Sequence, residues 1–476
     1  MHFEDPASTA SPSTGADTGP WYKDLTRYHW FVLVVACMGW LFDTMDQQLF
    51  NLARKPAITE LLTVGGVRPA PELVTKYGAY ATSIFMVGWA IGGLIFGVLG
   101  DKIGRARTML LTILIYSLCT GLSALSVGVW DFSFYRFLTG LGVGGEFAVG
   151  VALVAEVMPE RARPFALGWV QALSAVGNML AALIAIVLGL LEQAGQIGMD
   201  ATGKGMAPWR IMFLVGMFPA LLAILIRRRL KEPERWKAAA AAEAKEEIAG
   251  APKLGSLSEM FSDPRWRHNL IVGMMLAFAG VVGLWGIGFF SFDVIRPIFE
   301  GHFKAQGLNP KEIAGKLTIW TGITSLLQNF GAFFGVYAFS RVTAKIGRKP
   351  AFAISFVLAM ASTAFTFWYI SEFWHIFVLI PIMGFCQLTV FGGYAIYFPE
   401  LFPTRLRSTG TSFCYNVGRL VAALGPLFLG QLTVVYSGYG EIMSNRLACV
   451  TMTACFLIGL AALPFAPETK GKPLPE

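Results

Sequence analysis

Apolar residues in this chain gather into long blocks separated by short polar breaks. Twelve such blocks can be marked, at 30–50, 77–99, 108–128, 133–157, 165–191, 209–226, 269–292, 318–340, 350–370, 375–398, 408–434 and 446–464. About 20 residues in helical form cross a bilayer's hydrocarbon layer. Backbone groups in that layer must be hydrogen-bonded within their own segment, so the blocks are predicted to be helices. The pattern predicts an all-α integral membrane protein with twelve transmembrane helices in two pseudo-symmetric six-helix bundles.

Composition strengthens this reading. Hydrophobic residues make up 55% of the 476 positions and charged residues 14%, against roughly 25% charged in soluble domains. The net charge of +8 does not indicate a nucleic-acid binder, because the basic residues lie in the breaks between blocks and form no patch interleaved with aromatics. Counting them predicts topology: 25 of the 38 Lys and Arg fall on the side that holds both termini and the long central loop, and 11 on the other. The excess puts both termini in the cytoplasm, and the short tails suit a bacterial inner membrane. The expected organisation is a polar, disordered tail at 1–29, a six-helix bundle at 30–226, a linker at 227–268, a second bundle at 269–464 and a tail at 465–476. Ala240–Glu247 reads as a solvated helix within the linker. The six cysteines lie in apolar blocks without CxxC pairing, which predicts core residues and no disulfide or metal site.

The chain repeats itself. Glu156-Val-Met-Pro-Glu-Arg161-Ala-Arg163 after the fourth block matches Glu400-Leu-Phe-Pro-Thr-Arg405-Leu-Arg407 after the tenth. Ile103-Gly104-Arg105 matches Ile346-Gly347-Arg348. The offsets, 244 and 243 residues, indicate a duplicated six-helix unit, and paired repeats enclosing a binding site are a common build of secondary transporters. Gly97-Val-Leu-Gly100-Asp101-Lys102-Ile-Gly104-Arg105-Ala-Arg107 resembles the loop signature of the major facilitator superfamily. Its second copy keeps Gly335 and Lys345-Ile-Gly-Arg348-Lys349 but has Arg341-Val-Thr where the acid would stand. Pro399 to Gly410 and Pro467-Glu-Thr-Lys-Gly471 resemble sugar-porter signatures, and Trp40-Leu-Phe-Asp43-Thr-Met-Asp46 resembles organic-acid:proton symporter branches.

Charges inside a membrane are costly and therefore mark function. Asp43 and Asp46 share one face of the first helix with Gln47 nearby, and the fourth carries Arg136 and Glu146. Counted from the block ends, Asp46 and Arg136 both lie roughly 5 Å below the outer surface, which predicts an ion pair. The pair is either a fixed structural one or, as the family resemblance implies, part of proton coupling; Asp43 and Glu146 are further proton candidates, the alternative for Glu146 being a hydrogen-bonded packing role. All five histidines lie at or outside the block edges, so a relay must use carboxylates. Glu146 follows Gly140, Gly142, Gly144 and Gly145, which suit close helix packing. Their GxGxxG spacing has no preceding strand and is not read as a nucleotide motif. Arg419 stands in mid-block with Asn416 one turn away and no acid in the same block. Its planar fork suits a substrate carboxylate, the alternative being a pair with Glu146. Gln171, Asn178, Gln328, Asn329 and Gln387 could complete a site, with Trp285, Phe289 and Tyr394 as apolar walls.

At the cytoplasmic ends Arg105, Glu156, Arg348 and Glu400, with Asp101, Arg161 and Arg405, read as a gate. The resemblance implies Arg–Glu pairs that hold the two bundles together when the carrier opens outward. The nearest approach to a P-loop, Gly198 to Gly205, lacks the final Ser/Thr, and no catalytic triad or metal-spaced cluster occurs. The expectation is a monomeric, non-enzymatic secondary transporter without cofactor, whose partners are lipid, a small solute and protons. Proton-coupled symport of a small organic anion leads; transport of a neutral sugar, export, and a non-transporting sensor are the alternatives.

Overall fold

A computed structural model describes residues 20–63, 65–67, 69–193, 196–199, 205–246, 253–287, 291–308, 310–422, 428, 431–432 and 434–475. The first half contains α1 (Arg27–Leu61), α2 (Pro71–Lys102), α3 (Arg105–Ser123), α4 (Val129–Val157), α5 (Arg163–Gln193), α6 (Pro208–Val215) and α7 (Ala220–Arg229). The linker forms α8 (Glu234–Glu246) and α9 (Leu257–Ser262). The second half contains α10 (Pro264–Val281), α11 (Ser291–Ala305), α12 (Pro310–Ile346), α13 (Arg348–Tyr369), α14 (Ile376–Leu401), α15 (Arg407–Ala422), α16 (Glu441–Met452) and α17 (Cys455–Ala462). Among the described residues, nine helical segments are long and apolar enough to cross a membrane. Exposed Val34, Leu118, Phe134, Phe330, Phe334 and Leu457 give both halves an apolar outer surface, as contact with lipid requires.

Several helices differ from the apolar blocks, each for a local reason. Helix α1 continues to Leu61, eleven residues beyond its block, through Pro56. Its polar residues find partners there: Arg54 donates to Thr82 on α2 at 2.6 Å and Asn51 to Gln48 at 3.3 Å. The sixth block is broken into α6 and α7 by a turn over residues 216–219 that includes Gly216 and Pro219. The seventh leaves α-helical form for a π turn over Val282–Ile287, and the last divides at Thr453 and Ala454. Gly198–Met199 and Gly205–Met206 pair as a two-stranded antiparallel ribbon.

The repeated motifs fold alike. Gly104 and Gly347 stand before α3 and α13 with φ of 107° and 99°, values that favour glycine. Over each helix start lies a carboxylate: Glu232 accepts the Ala106 and Arg107 N–H groups, both at 3.1 Å. Glu468 accepts those of Arg348 and Lys349 at 2.9 and 3.0 Å. Each satisfies donors that a helix N-terminus leaves orphaned. Glycines also let α2 and α4 pass closely: a Cβ on Gly92 would meet the Leu141 carbonyl, and one on Gly144 that of Trp89. Gly331 and Gly335 do the same for α12 against Pro381 and Phe385 of α14.

The linker lies against both halves. Trp236 donates to the Asp101 carbonyl at 2.6 Å, and Gly255 N–H to that of Arg405 at 2.8 Å. These contacts mark the linker end of the molecule.

Candidate functional site

In the first half, α1 and α4 run antiparallel and bring Asp46 and Arg136 together at full burial. Arg136 Nη1 lies 3.6 Å from Asp46 Oδ2. Thr120 of α3 donates to Asp46 Oδ1 at 2.6 Å, and Arg136 Nε and Nη2 reach Ser123 Oγ at 3.0 and 2.8 Å. The guanidinium also stands over the Phe213 ring, 4.7 Å from its centroid. Because α1 runs on to Leu61, Asp46 is fifteen residues from the helix end. The pair therefore lies deeper along α1 than the four-residue offset taken from the apolar block.

One turn toward the linker end, Asp43 is 1% exposed, with Oδ1 lacking a hydrogen-bond partner. Glu146 points from α4 toward α1, where a Cβ on Gly39 would meet its Oε1. Both Glu146 oxygens are buried without a partner, as are Tyr116 Oη and Trp40 Nε1.

The second half contributes Arg419 from α15. Its guanidinium carbon lies 3.8 Å from the ring centroid of Trp89 of α2 and 4.2 Å from that of Tyr415. Nη1 reaches Asn416 Oδ1 at 3.4 Å, and Nε is buried without a partner. Among the described residues no carboxylate lies within ion-pair distance of Arg419. The pair with Glu146 that the sequence left open is not formed. Asp43 is the carboxylate within its electrostatic reach. Asn416 in turn donates to Ser412 O at 2.9 Å and to the Gly144 carbonyl of the first half at 3.5 Å. Tyr415, Phe147 and Trp40 continue the contact as a chain of rings 4.5 Å apart. Thus Asp43 of the first half stands within electrostatic reach of both Glu146 and Arg419. Trp89, Tyr415, Tyr116 and Ser123 were not marked in the sequence, where nothing separates them from other residues of apolar blocks.

The remaining predicted residues divide. Gln47 is 8% exposed beside the α1 acids, and Gln171 is 3% exposed with Oε1 unpartnered. Asn178 donates to Asn329 across the halves at 3.0 Å. Gln328 is half-buried, and its backbone packs against Gly384. Gln387 instead faces α13, donating to Thr363 at 2.8 Å. Tyr394 is not a wall: its hydroxyl donates to the Leu276 carbonyl and accepts the Gly280 N–H, fixing α14 to α10. The Trp285 side chain and Phe289 lie outside the described residues.

The gate residues pair differently from the expectation. Arg105–Glu156 at 2.9 Å and Arg348–Glu400 at 2.8 Å each lie within one half. The contacts between halves are others. Arg407 bonds Glu156 at 2.8 Å, and Arg105 donates to the Thr404 carbonyl at 2.6 Å. Asp101 accepts from Ser408 N, Thr409 N and Thr409 Oγ1 at 3.1, 2.9 and 2.6 Å, while also pairing with Arg105 at 2.9 Å. Arg405 pairs with Glu259 of the linker at 2.7 Å, and Arg161 lies 3.8 Å from Asp24, away from the seam. Arg407 stood in the repeated motif, but its partner in the other half could not be read there.

The family model for the Major Facilitator Superfamily matches residues 37–426. A probable 4-methylmuconolactone transporter of Cupriavidus pinatubonensis is 30% identical, over 95% of this chain and 93% of its own. A putative metabolite transport protein of Haemophilus influenzae is 28% identical, over 94% and 99%. The solved proton:xylose symporter XylE superposes with a TM-score of 0.68 at 18% identity, covering 94% of this chain and 98% of that one. With two pseudo-symmetric bundles meeting around buried charge, and a match that runs through both, the chain belongs to the Major Facilitator Superfamily: it is an all-helical membrane transporter with that family's two-bundle fold, not an enzyme.

Proposed function

We propose that this transporter moves a small organic anion together with protons by alternating access. The observation that carries the proposal is Arg419: a buried guanidinium where the halves meet, set against the rings of Trp89 and Tyr415 and paired with no described carboxylate. Its Nε, buried without an acceptor among the described residues, leaves part of the in-plane N–H edge open to a ligand. A carboxylate accepts from that edge with matching geometry. Names among the relatives support an acid: besides 4-methylmuconolactone they include cis,cis-muconate, niacin, sialic acid and inorganic phosphate. The proton is assigned to Asp46, whose neighbour Arg136 stabilises its charged form and would release it to protonation on moving away. The linker end is assigned to the cytoplasm of a bacterial inner membrane, from the basic-residue excess there. Arg419, Asn416, Gln47 and Gln171 bound the proposed substrate site.

The test is uptake of a radiolabelled panel of aromatic acids, sugar acids and neutral sugars into proteoliposomes with an imposed pH gradient. Acid-selective uptake that grows with outside acidification is expected. Asp46→Asn should abolish that growth; normal gradient-driven accumulation by this variant would reject the proton role. Preference for a neutral sugar would reject the anion.

A further inference from the structure

Glu146 is left over by the Asp46–Arg136 step. Its carboxyl is enclosed by α1, α3 and α4, and both oxygens are buried with no donor reaching either among the described residues. The room it occupies depends on glycine: a Cβ on Gly39 would collide with Oε1, and one on Gly150 would stand 3.9 Å away. The ionisable groups facing it are Asp43 from α1 and Tyr116 from α3, with Asp46 a turn further along α1 and Arg419 of α15 beyond Asp43. None is a cation in contact with it. Tyr116 Oη and Asp43 Oδ1 are themselves buried and unpartnered. Asp46 differs in kind, with a guanidinium at 3.6 Å and a hydroxyl donor at 2.6 Å. A carboxylate without a cation or donor in such a place carries an uncompensated charge, and the usual resolution is to bind a proton.

We propose that Glu146, with Asp43 beside it, is a second proton site, occupied while the linker end is closed, so that two protons accompany each substrate molecule. The proposal rests on the symport reading above. One proton enters through Asp46. The other resides as an O–H on Glu146, beside Asp43, and leaves as H⁺ on the opposite side; no bond of the substrate changes. With a monoanion, two protons carry one net positive charge inward, so transport responds to membrane potential as well as to the pH gradient.

Infrared spectra of the purified full-length protein at neutral pH test the site without any substrate. A protonated-carboxyl C=O band that shifts in heavy water is expected in the wild type, lost in Glu146→Gln and kept in Asp46→Asn. A wild type without that band overturns the proposal even if the variant fails to fold, and so does a band unchanged by Glu146→Gln. Proteoliposomes loaded with potassium and treated with valinomycin supply the second arm, with nicotinate as the probe monoanion. Inside-negative potential alone should drive accumulation in the wild type, and Glu146→Gln should lose that response while still following a pH gradient. Wild-type uptake that follows pH but ignores potential overturns the second site and leaves symport standing. Uptake indifferent to both overturns symport, and the two-proton reading with it.

Discussion

Arg419 and Tyr394 are both buried polar side chains of the second half, yet their neighbours give them opposite roles. Arg419 keeps Nε without a protein acceptor, while the Tyr394 hydroxyl is saturated by two backbone groups of α10. Lysine at position 419 would retain the charge but lose the stacking on Trp89 and Tyr415 and the forked donor geometry. We expect Arg419→Lys to raise KM for the transported acid about tenfold, ~1.4 kcal/mol of binding, in uptake kinetics; an unchanged KM would remove Arg419 from the substrate site. Tyr394→Phe should leave KM alone and lower the detergent-state Tm, because it removes the hydroxyl that ties α14 to α10 and a net hydrogen bond contributes about 0.5–1.5 kcal/mol. A shift in KM without loss of stability would return Tyr394 to the passage wall. These contrasts mark what sequence can convey at this scale. Asp43, Asp46, Arg136, Glu146 and Arg419 stand out because a charge in an apolar block is rare. Trp89 and Tyr415 do not, because aromatic residues form 13% of this chain and most of them pack against other apolar groups.

At the scale of elements, the paired carboxylates over α3 and α13 show a duplicated device surviving unequal sequence. Lys231-Glu232-Pro233 and Ala466-Pro467-Glu468 share little, but each lays one carboxylate over a helix that starts at a positive-φ glycine. Partial burial pushes the Glu468 carboxyl up, but N–H donors from Arg348, Lys470 and Lys349 outweigh this and hold it below the usual glutamate range. A depressed carboxylate stabilises the fold above its unfolded-state pKa and loses that contribution as pH falls through the folded value. Glu468→Gln should therefore lower Tm at neutral pH, and the gap to wild type should close as the buffer is taken below the ordinary glutamate range. A gap that is constant with pH would show that the charge itself is not what holds α13. Helix existence was legible from the apolar blocks, whereas helix ends were not. Hydropathy reports where a segment ceases to suit lipid, while helix ends depend on partners such as Thr82 for Arg54, or on turn residues such as Pro219.

Across the whole molecule, the two halves are joined at the linker end by a seam between α2 and α15. Gly93, Gly97 and Gly100 face Asn416, Ser412 and Ser408 in register, so that a Cβ on Gly97 would stand 2.6 Å from that of Ser412. Below them lie the Asp101 bonds to Ser408 and Thr409 and the Glu156–Arg407 pair. Alternating access requires all of these to part together, so their summed strength must stay within reach of what substrate and proton binding can supply. Reversing a 1:99 equilibrium takes about 5.5 kcal/mol, and one hydrogen bond to a charged group contributes about 1.5–3 kcal/mol. Loss of a single seam contact should thus move the population roughly ten- to a hundredfold. Glu156→Gln weakens the pair with Arg407 and also leaves Arg105 less compensated within its own half, so it does not isolate the seam. Gly97→Leu acts on the seam alone, by wedging α2 from α15. Spin labels at exposed Lys102 and Lys345, in a background lacking the six native cysteines, report the separation of the two halves by double electron–electron resonance. A longer-distance population is expected in Gly97→Leu, with a smaller one in Glu156→Gln, and uptake should fall in both because the linker end no longer closes fully. An unchanged distance distribution in Gly97→Leu would mean that the halves are held by the linker and α5–α12 contacts instead, and that the glycine register of α2 is incidental.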